Sequence, residues 1–108
     1  MLVSSGRLDQ RITLQHKTVV RGSLGGHAET WSTLATVWAE TLDMSGHEIF
    51  NAKAIGSGAT QLITIRYRSD VHADMRVIFA DGSMARIEWI RRVTRREFME
   101  LYCLSLND

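Results

Sequence analysis

The fold is decided by two adjacent stretches, TWSTLATVWAE at residues 30–40 and SGHEIF at residues 45–50. The first is rich in β-branched and aromatic residues, which favours a strand. The second opens with Ser45, a good helix N-cap, and carries Glu48 three residues later, the spacing of a capping box. A strand followed at once by a short helix is therefore predicted, with the glycines of the GSG sequence at 56–58 ending that helix.

Alternation of apolar and polar residues predicts the other strands. Short turn-bounded segments of this kind indicate an all-β fold, a small β-barrel or sandwich of about six strands with one short helix. We expect a single domain over residues 1–108, with its core at about 6–106. The remaining strand candidates lie at 8–16 (extending through 18–20), 61–68, 75–79, 85–90 and 98–106, the last with apolar residues on both faces and so expected to be central.

The same alternation assigns the tryptophans to faces. In the 29–40 strand, Trp31 shares its face with Val37, whereas Trp38 lies opposite. Trp31 and Trp89 are accordingly expected in the core, and Trp38 fits the core or the surface equally. Asp81-Gly82 is typical of a type I′ hairpin turn, and 91–97 is expected to be a basic connection between the last two strands.

Bulk properties limit the class of protein. The chain has 108 residues and a formal net charge of +1, too small to argue for non-specific DNA binding. The one cysteine, Cys103, excludes an internal disulfide and is expected to be a buried thiol. Neither a membrane-spanning apolar run nor a signal-peptide pattern is present, so synthesis in the cytoplasm is expected.

No catalytic or metal-binding pattern stands out. The four histidines are scattered, and the glycine-rich 22–26 segment lacks the lysine of a phosphate loop. Possible carboxylate pairs show no sign of converging. We therefore predict no catalytic residue, no cofactor, no metal and no enzymatic activity.

The positions of the basic residues leave two questions open, namely what the arginine cluster contacts and whether the barrel binds nucleic acid. The arginine cluster 91–96 fits a contact with phosphate or an acidic protein ring, but a solvated loop is the more economical interpretation. A nucleic-acid-binding barrel needs aromatics beside basic residues on one sheet face. The basic strand residues Arg66, Arg68, Arg76 and Arg86 share their faces with no aromatic residue of their own strands.

Five short motifs, in this order and spacing, resemble the tailed-bacteriophage head–tail joining family, also called head-closure or head–tail adaptor proteins. The resemblance covers roughly residues 6–104. The motifs are GRLDQRI at 6–12, Trp31 with VWAE at 37–40, SGHE at 45–48, TIRYR at 64–68 and DMRV at 74–77.

This resemblance implies a small β-barrel with a short helix and long mobile loops. It also implies a virion protein at the head–tail interface, made in the bacterial host cytoplasm. Such a protein forms a ring below the portal or adaptor ring, closes the head after DNA packaging and offers the tail a docking surface. A tail-completion protein is a related alternative.

The implied partners are portal or adaptor ring proteins, tail proteins, further copies of the chain, and packaged DNA in passing, with no membrane. Residues 42–60 would order on docking, with 56–60 mobile and dispensable for folding. The residues expected at protein interfaces are Trp38, Met44, His47, Glu48, Phe50, Arg91, Arg92, Arg95 and Arg96.

Overall fold

The chain folds into a closed antiparallel β-barrel with one helix, as a computed structural model shows for residues 8–22, 25–93 and 97–106. The strands follow the order β1-β2-β3-β6-β5-β4 around the barrel. This confirms the all-β prediction and decides for the barrel over the sandwich. The elements are β1 (Gln10–Arg21), β2 (His27–Asp43), α1 (Gly46–Ala54), β3 (Gln61–Arg66), β4 (Arg76–Phe79), β5 (Met84–Val93) and β6 (Phe98–Ser105).

The core fills the barrel interior with alternate residues of every strand. Ile12 and Leu14 of β1 are 1% and 0% exposed. Burying an aliphatic side chain of this size contributes about 1.5–3 kcal/mol, so these rows dominate stability. The strand β6 pairs with β3 on one side and β5 on the other, and most of its residues on both faces are buried, in keeping with its apolar pattern. The other fully buried large side chains include Ile63, Ile65, Val77, Ile87, Leu101 and Cys103.

A β-bulge in β2 places Trp31 outside the core. Leu14 pairs with Ala35, but Gln15 pairs with Thr33, so Leu34 is an extra residue in the ladder. An extra residue reverses the facing of everything beyond it. Leu34 consequently packs against the core, and the prediction that Trp31 lies within it is wrong.

A second bulge does the same in β5. Ile87 pairs with Cys103 and Trp89 with Tyr102, which leaves Glu88 as the extra residue. Trp89 therefore faces outward, contrary to the predicted core position. Its ring stacks on that of Tyr102, with centroids 3.8 Å apart and an interplanar angle of 3°.

Helix α1 covers part of the outer barrel surface. The predicted capping box is present: the backbone N–H of Glu48 donates to Ser45 Oγ (3.2 Å), and the backbone N–H of Ser45 donates to Glu48 Oε1 (3.0 Å). The hydrogen bond that the Glu48 carboxylate accepts from the Ser45 backbone N–H is the main cause that lowers the pKa of Glu48. A small second core beneath the helix contains Met44, Ala52, Ala59 and Leu62, with Ile49 and Tyr102 at its border.

The segment 56–60 is well tethered, contrary to the expectation of a loose loop. Ala59 is 0% exposed. The Thr60 N–H donates to the Cys103 carbonyl at 2.8 Å, and the Met44 N–H donates to the Thr60 carbonyl at 2.9 Å. Deleting 56–60 would remove these contacts and part of the second core, so the deletion would not spare folding.

The β4–β5 hairpin differs from the predicted type I′ turn. Only Gly82 of its central pair has positive φ, at 89°. The Phe79 N–H donates to the Ser83 carbonyl, and the Gly82 N–H donates to the Phe79 carbonyl. This is a three-residue turn with a left-handed glycine. At the other end, β5 continues to Val93, so the basic connection predicted from Arg91 begins later.

Removing the Leu14 side chain tests the barrel core. Leu14→Ala is expected to lower the free energy of unfolding by about 2–5 kcal/mol, because a fully buried leucine leaves a cavity. The matched control is Val19→Ala, since Val19 is 55% exposed on the same strand; it should change stability by less than about 0.5 kcal/mol. Urea unfolding followed by circular dichroism measures both, and equal effects would contradict the core assignment.

Removing the Ser45 hydroxyl tests the helix cap. Ser45→Ala is expected to destabilise the protein by about 1 kcal/mol, whereas Ser69→Ala, in an exposed turn, should be near neutral. Urea unfolding of both variants measures the difference.

The capping box also predicts a pH dependence. Because the folded pKa of Glu48 is lowered, its carboxylate stabilises the fold above its ordinary pKa of 4.5. That contribution is lost as pH falls through the folded pKa. Urea titrations of wild type and Glu48→Gln at pH 7 and pH 3 should therefore converge at the lower pH.

Candidate interface surface

A row of alternating cations and aromatic rings crosses four neighbouring strands on the outside of the barrel. It consists of Arg11, Trp38, Arg66 and Phe98 from β1, β2, β3 and β6, and we call it the cation–aromatic row. The Arg11 guanidinium carbon lies 4.8 Å from the Trp38 ring centroid, and that of Arg66 lies 5.8 Å from the ring of Phe98. Both distances fit cation–π attraction.

An open groove of about 810 Å³ runs beside this row. It forms where β2 parts from β3, whose pairing begins only at Ala39 and Ile65. Trp38 is 53% exposed. A half-exposed tryptophan between arginines has the composition of an interface hot spot. The groove is lined by Leu8, Asp9, Arg11, Thr36, Val37, Trp38, Arg66, Tyr67 and Arg68.

The charges along this groove are unevenly neutralised. Arg68 forms two hydrogen bonds to the Asp70 carboxylate, at 3.1 and 2.9 Å. This arginine holds the pKa of Asp70 below its ordinary value. Arg11 and Arg66, by contrast, have no carboxylate partner among the described residues. Two arginines that form no ion pair with a described residue therefore lie beside Trp38 in the groove, which Asp9 also lines.

The other strand arginines do not form the common basic face considered from the sequence. Arg76 donates through Nε to Gln15 Oε1 (2.7 Å) and lies 4.2 Å from the Trp31 ring centroid. Arg86 pairs with Glu88 at 3.1 Å. Aromatic partners for Arg66 and Arg76 come from other strands. The alternation of residues within a single strand could not reveal them. Arginine stacking nevertheless occupies a ring face of Trp31 and of Trp38, so those faces are not free for bases.

The interface residues predicted around α1 divide into exposed and buried ones. Phe50 is 71% exposed, and His47 and Glu48 are also exposed. His47 lies within hydrogen-bond distance of Asn51 (3.3 Å). Met44 instead is 9% exposed and belongs to the second core. A direct contact through Met44 would need that core to open, whereas the other three are accessible as they stand.

The predicted arginine cluster is described only in part. Arg91 lies on β5, with Nε 3.4 Å from Glu100 Oε1. The Arg91 side chain is 62% exposed, whereas that of Glu100 is 5% exposed. Glu100 Oε1 makes no hydrogen bond, so charge attraction alone links the pair. The Arg92 side chain, Arg95 and Arg96 lie outside the described residues.

The described part of the chain contains no group of three or more His, Cys, Asp or Glu residues arranged to hold a metal ion. None of its helices has the length and apolarity needed to cross a membrane. Cys103 is fully buried, and burial raises the pKa of its thiol to about 12. The thiol is therefore protonated and unreactive at neutral pH.

Comparison with known families identifies the chain. The family model for the phage head completion protein matches residues 3–105, nearly the whole sequence. The chain belongs to the phage head completion protein family. It is thus a phage structural protein, which confirms the head–tail joining resemblance. Exposed aromatic side chains and an open groove on the outer surface agree with this family.

Solved structures share the fold of this head completion protein. The solution structure of protein SF1141 from Shigella flexneri 2a is 29% identical with a TM-score of 0.82, covering 98% of this chain and 99% of that one. A chain from the virion of a native gene transfer agent particle is 18% identical with a TM-score of 0.63, covering 90% and 93%. The second likeness shows a common fold. No curated protein matches.

Sequence reasoning missed Arg11 and Arg66 as surface residues flanking Trp38. Neither arginine has a Phe, Trp or Tyr on its own strand. The row appears only when four strands pair side by side. Residue composition carries no signal for such a row. Knowing that β1, β2, β3 and β6 are adjacent in this order, with Arg11 opposite Trp38 and Arg66 opposite Phe98, would have been sufficient to find it.

Truncating Trp38 tests this surface. Trp38→Ala is expected to change the free energy of unfolding by at most about 1 kcal/mol, because the side chain is half exposed and the cation–π contact is weak there. The number of joined, infectious particles should fall sharply. The matched control is Leu106→Ala, an apolar residue 45% exposed just beyond the end of β6. Complementation of a deletion mutant with each variant gives the titres, and full titre with Trp38→Ala would contradict an interface role.

Proposed function

We propose that this head completion protein forms a ring below the portal or adaptor ring, closes the head after DNA packaging and presents the docking surface for the tail. The family match over residues 3–105 is the observation that carries this proposal. The protein would act in the virion at the head–tail interface, after synthesis in the bacterial host cytoplasm.

A ring requires each copy to present two different surfaces, one to each neighbour. The described surface offers several unlike regions to meet this need. One is the groove along the cation–aromatic row, and another is the exposed outer side of α1 with Phe50. A third is the two-stranded extension of β1 and β2 beyond the barrel, which helps make the molecule 52 Å long and only 29 × 28 Å across. Contacts to other copies, to the portal or adaptor ring and to the tail would be shared among these regions.

The groove is the best candidate for a protein partner of opposite charge. Arg11 and Arg66 form no ion pair with a carboxylate of the described residues, so both are available to pair with a ligand, and Arg–carboxylate pairing is strong and directional. Trp38 adds apolar area between them. An acidic segment of a neighbouring ring protein fits this arrangement of charge and apolar surface.

Packaged DNA would be a passing contact rather than a stable ligand. The net charge of +1 gives little long-range attraction for a polyanion. Of the arginines described above, Arg68, Arg86 and Arg91 are paired with carboxylates, although the Arg91 side chain is 62% exposed. A ring of many copies could still place exposed cations such as Arg91 beside the DNA path.

Deleting the reading frame from its phage or prophage tests the proposal. The lysate is expected to contain separate heads and finished tails under the electron microscope, with few joined particles. Because an unclosed head cannot retain DNA or accept a tail, infectious titre should collapse by orders of magnitude.

Supplying the wild-type protein from a plasmid is the control and should restore joined particles. If the deletion lysate contained intact joined particles at normal titre, the proposed role would be wrong. Heads with defective tails attached would instead indicate tail completion.

A further inference from the structure

The hairpin formed by β1 and β2 extends well beyond the barrel, and we call this extension the arm. It comprises residues 16–21 of β1 and 27–33 of β2, paired in register from His16↔Ser32 to Arg21↔His27. β1 pairs with β4 only over residues 12–15, and β2 pairs with β3 only from Ala39 onward. The arm is therefore a two-stranded ribbon, about 17 Å long at 3.3–3.4 Å per residue.

Both long edges of the arm lack a neighbouring strand within the described part of the chain. Residues 16–21 of β1 pair only with β2, and residues 27–37 of β2 pair only with β1. Their side chains offer little cover: Lys17, Thr18, Val19, Glu29 and Thr30 are all exposed. An isolated two-stranded ribbon is marginally stable in water, so this arm is incomplete as a sheet.

The arm also lacks most of the features that keep sheet edges from pairing. Proline is absent from the entire sequence. The charge of Lys17 is partly offset across the arm by Glu29, at 3.6 Å. The remaining arm residues are rich in threonine and valine, which suit a paired strand. Long unprotected edges of this type are templates for a further strand.

The base of the arm is rigidly attached to the barrel. The Arg76 guanidinium of β4 stacks on Trp31 and donates a hydrogen bond to Gln15. The arm thus projects in a defined direction. An edge held in a defined direction loses less entropy on pairing than a loose segment would.

From these observations we propose that the arm joins copies of this chain, with the β1 edge of one copy pairing antiparallel with the β2 edge of the next. Copies related by rotation about a common axis present their arms in the same direction. β1 runs outward along the arm and β2 runs back, so β1 beside the neighbour's β2 gives the antiparallel pairing found within each arm. The two edges are different and lie on opposite sides, as a closed head-to-tail ring requires.

This inference rests on the proposed ring and names the element that would build it. In the assembled ring each arm becomes part of a continuous antiparallel sheet with no free edge. The free protein lacks that sheet, so its arms gain stability only on assembly.

Photo-crosslinking in particles tests the pairing. The crosslinking residue p-benzoylphenylalanine replaces Thr18 on β1 or Thr30 on β2, in protein that complements the deletion mutant. Irradiation of purified particles should produce covalent multimers at multiples of 12.2 kDa on a denaturing gel. The same probe at Asp81, exposed on the β4–β5 turn, is the control and should give no such ladder.

A shortened arm provides the second variant. Replacing residues 18–30 with Asn-Gly joins Lys17 to Trp31 through a two-residue hairpin turn and retains the stacked base. The melting temperature of this variant should stay close to that of wild type, while joined particles are lost.

The outcomes separate this inference from the proposed function. Wild-type rescue of joining without a ladder from either arm probe, or rescue by the shortened arm, overturns the arm pairing alone. Crosslinks from both arm probes to another virion protein, without copy-to-copy products, overturn it as well. A deletion mutant that still makes normal joined particles overturns the proposed function itself.

Discussion

The four-residue ladder between β1 and β4 is the contact on which the rest of the structure depends. Pairing of residues 12–15 with 76–79 closes the barrel and encloses Ile12, Leu14 and Val77. β1 has 12 residues and β2 has 17, far more than closure uses. The excess length cannot join the barrel wall because β4 ends, and it emerges as the arm. One short ladder thereby creates both the sealed core and the unpaired edges.

Two bulges adapt the strands to this closed wall. The extra residues Leu34 and Glu88 each reverse the facing of the strand beyond them. Bulges are common where a strand bends strongly, as barrel closure demands. Their consequence is chemical as well as geometric: Trp31 meets Arg76, and Trp89 stacks on Tyr102, on the outside of the barrel. Two tryptophan side chains that alternation alone would place in the core therefore make contacts on the outer surface of the barrel.

The outer surface is divided between packing and recognition. Helix α1 seals a small second core over β3 and β6, using Ala52 and Ile49 against Leu62. Arg68 and Arg86 form ion pairs with nearby carboxylates, whereas Arg11 and Arg66 form none with the carboxylates of residues 8–22, 25–93 and 97–106. These paired and unpaired charges, together with the exposed strand edges of the arm, give the outer surface chemically different regions. The unpaired arginines and the exposed edges are the regions that we propose contact neighbours in the virion.

The sequence alone determined the local features of this protein. Alternation located the strands, Ser45 and Glu48 specified the helix start, and the apolar residues on both faces of β6 indicated its burial. These features depend on neighbours within a few residues. Trp38 and Phe50, both named from the sequence as interface candidates, are 53% and 71% exposed. Tertiary structure decided the bulges, the tethering of 56–60, the cation–aromatic row and the arm. Each of these depends on which strands become adjacent and where their pairing stops, and that information is held by contacts between residues distant in the chain.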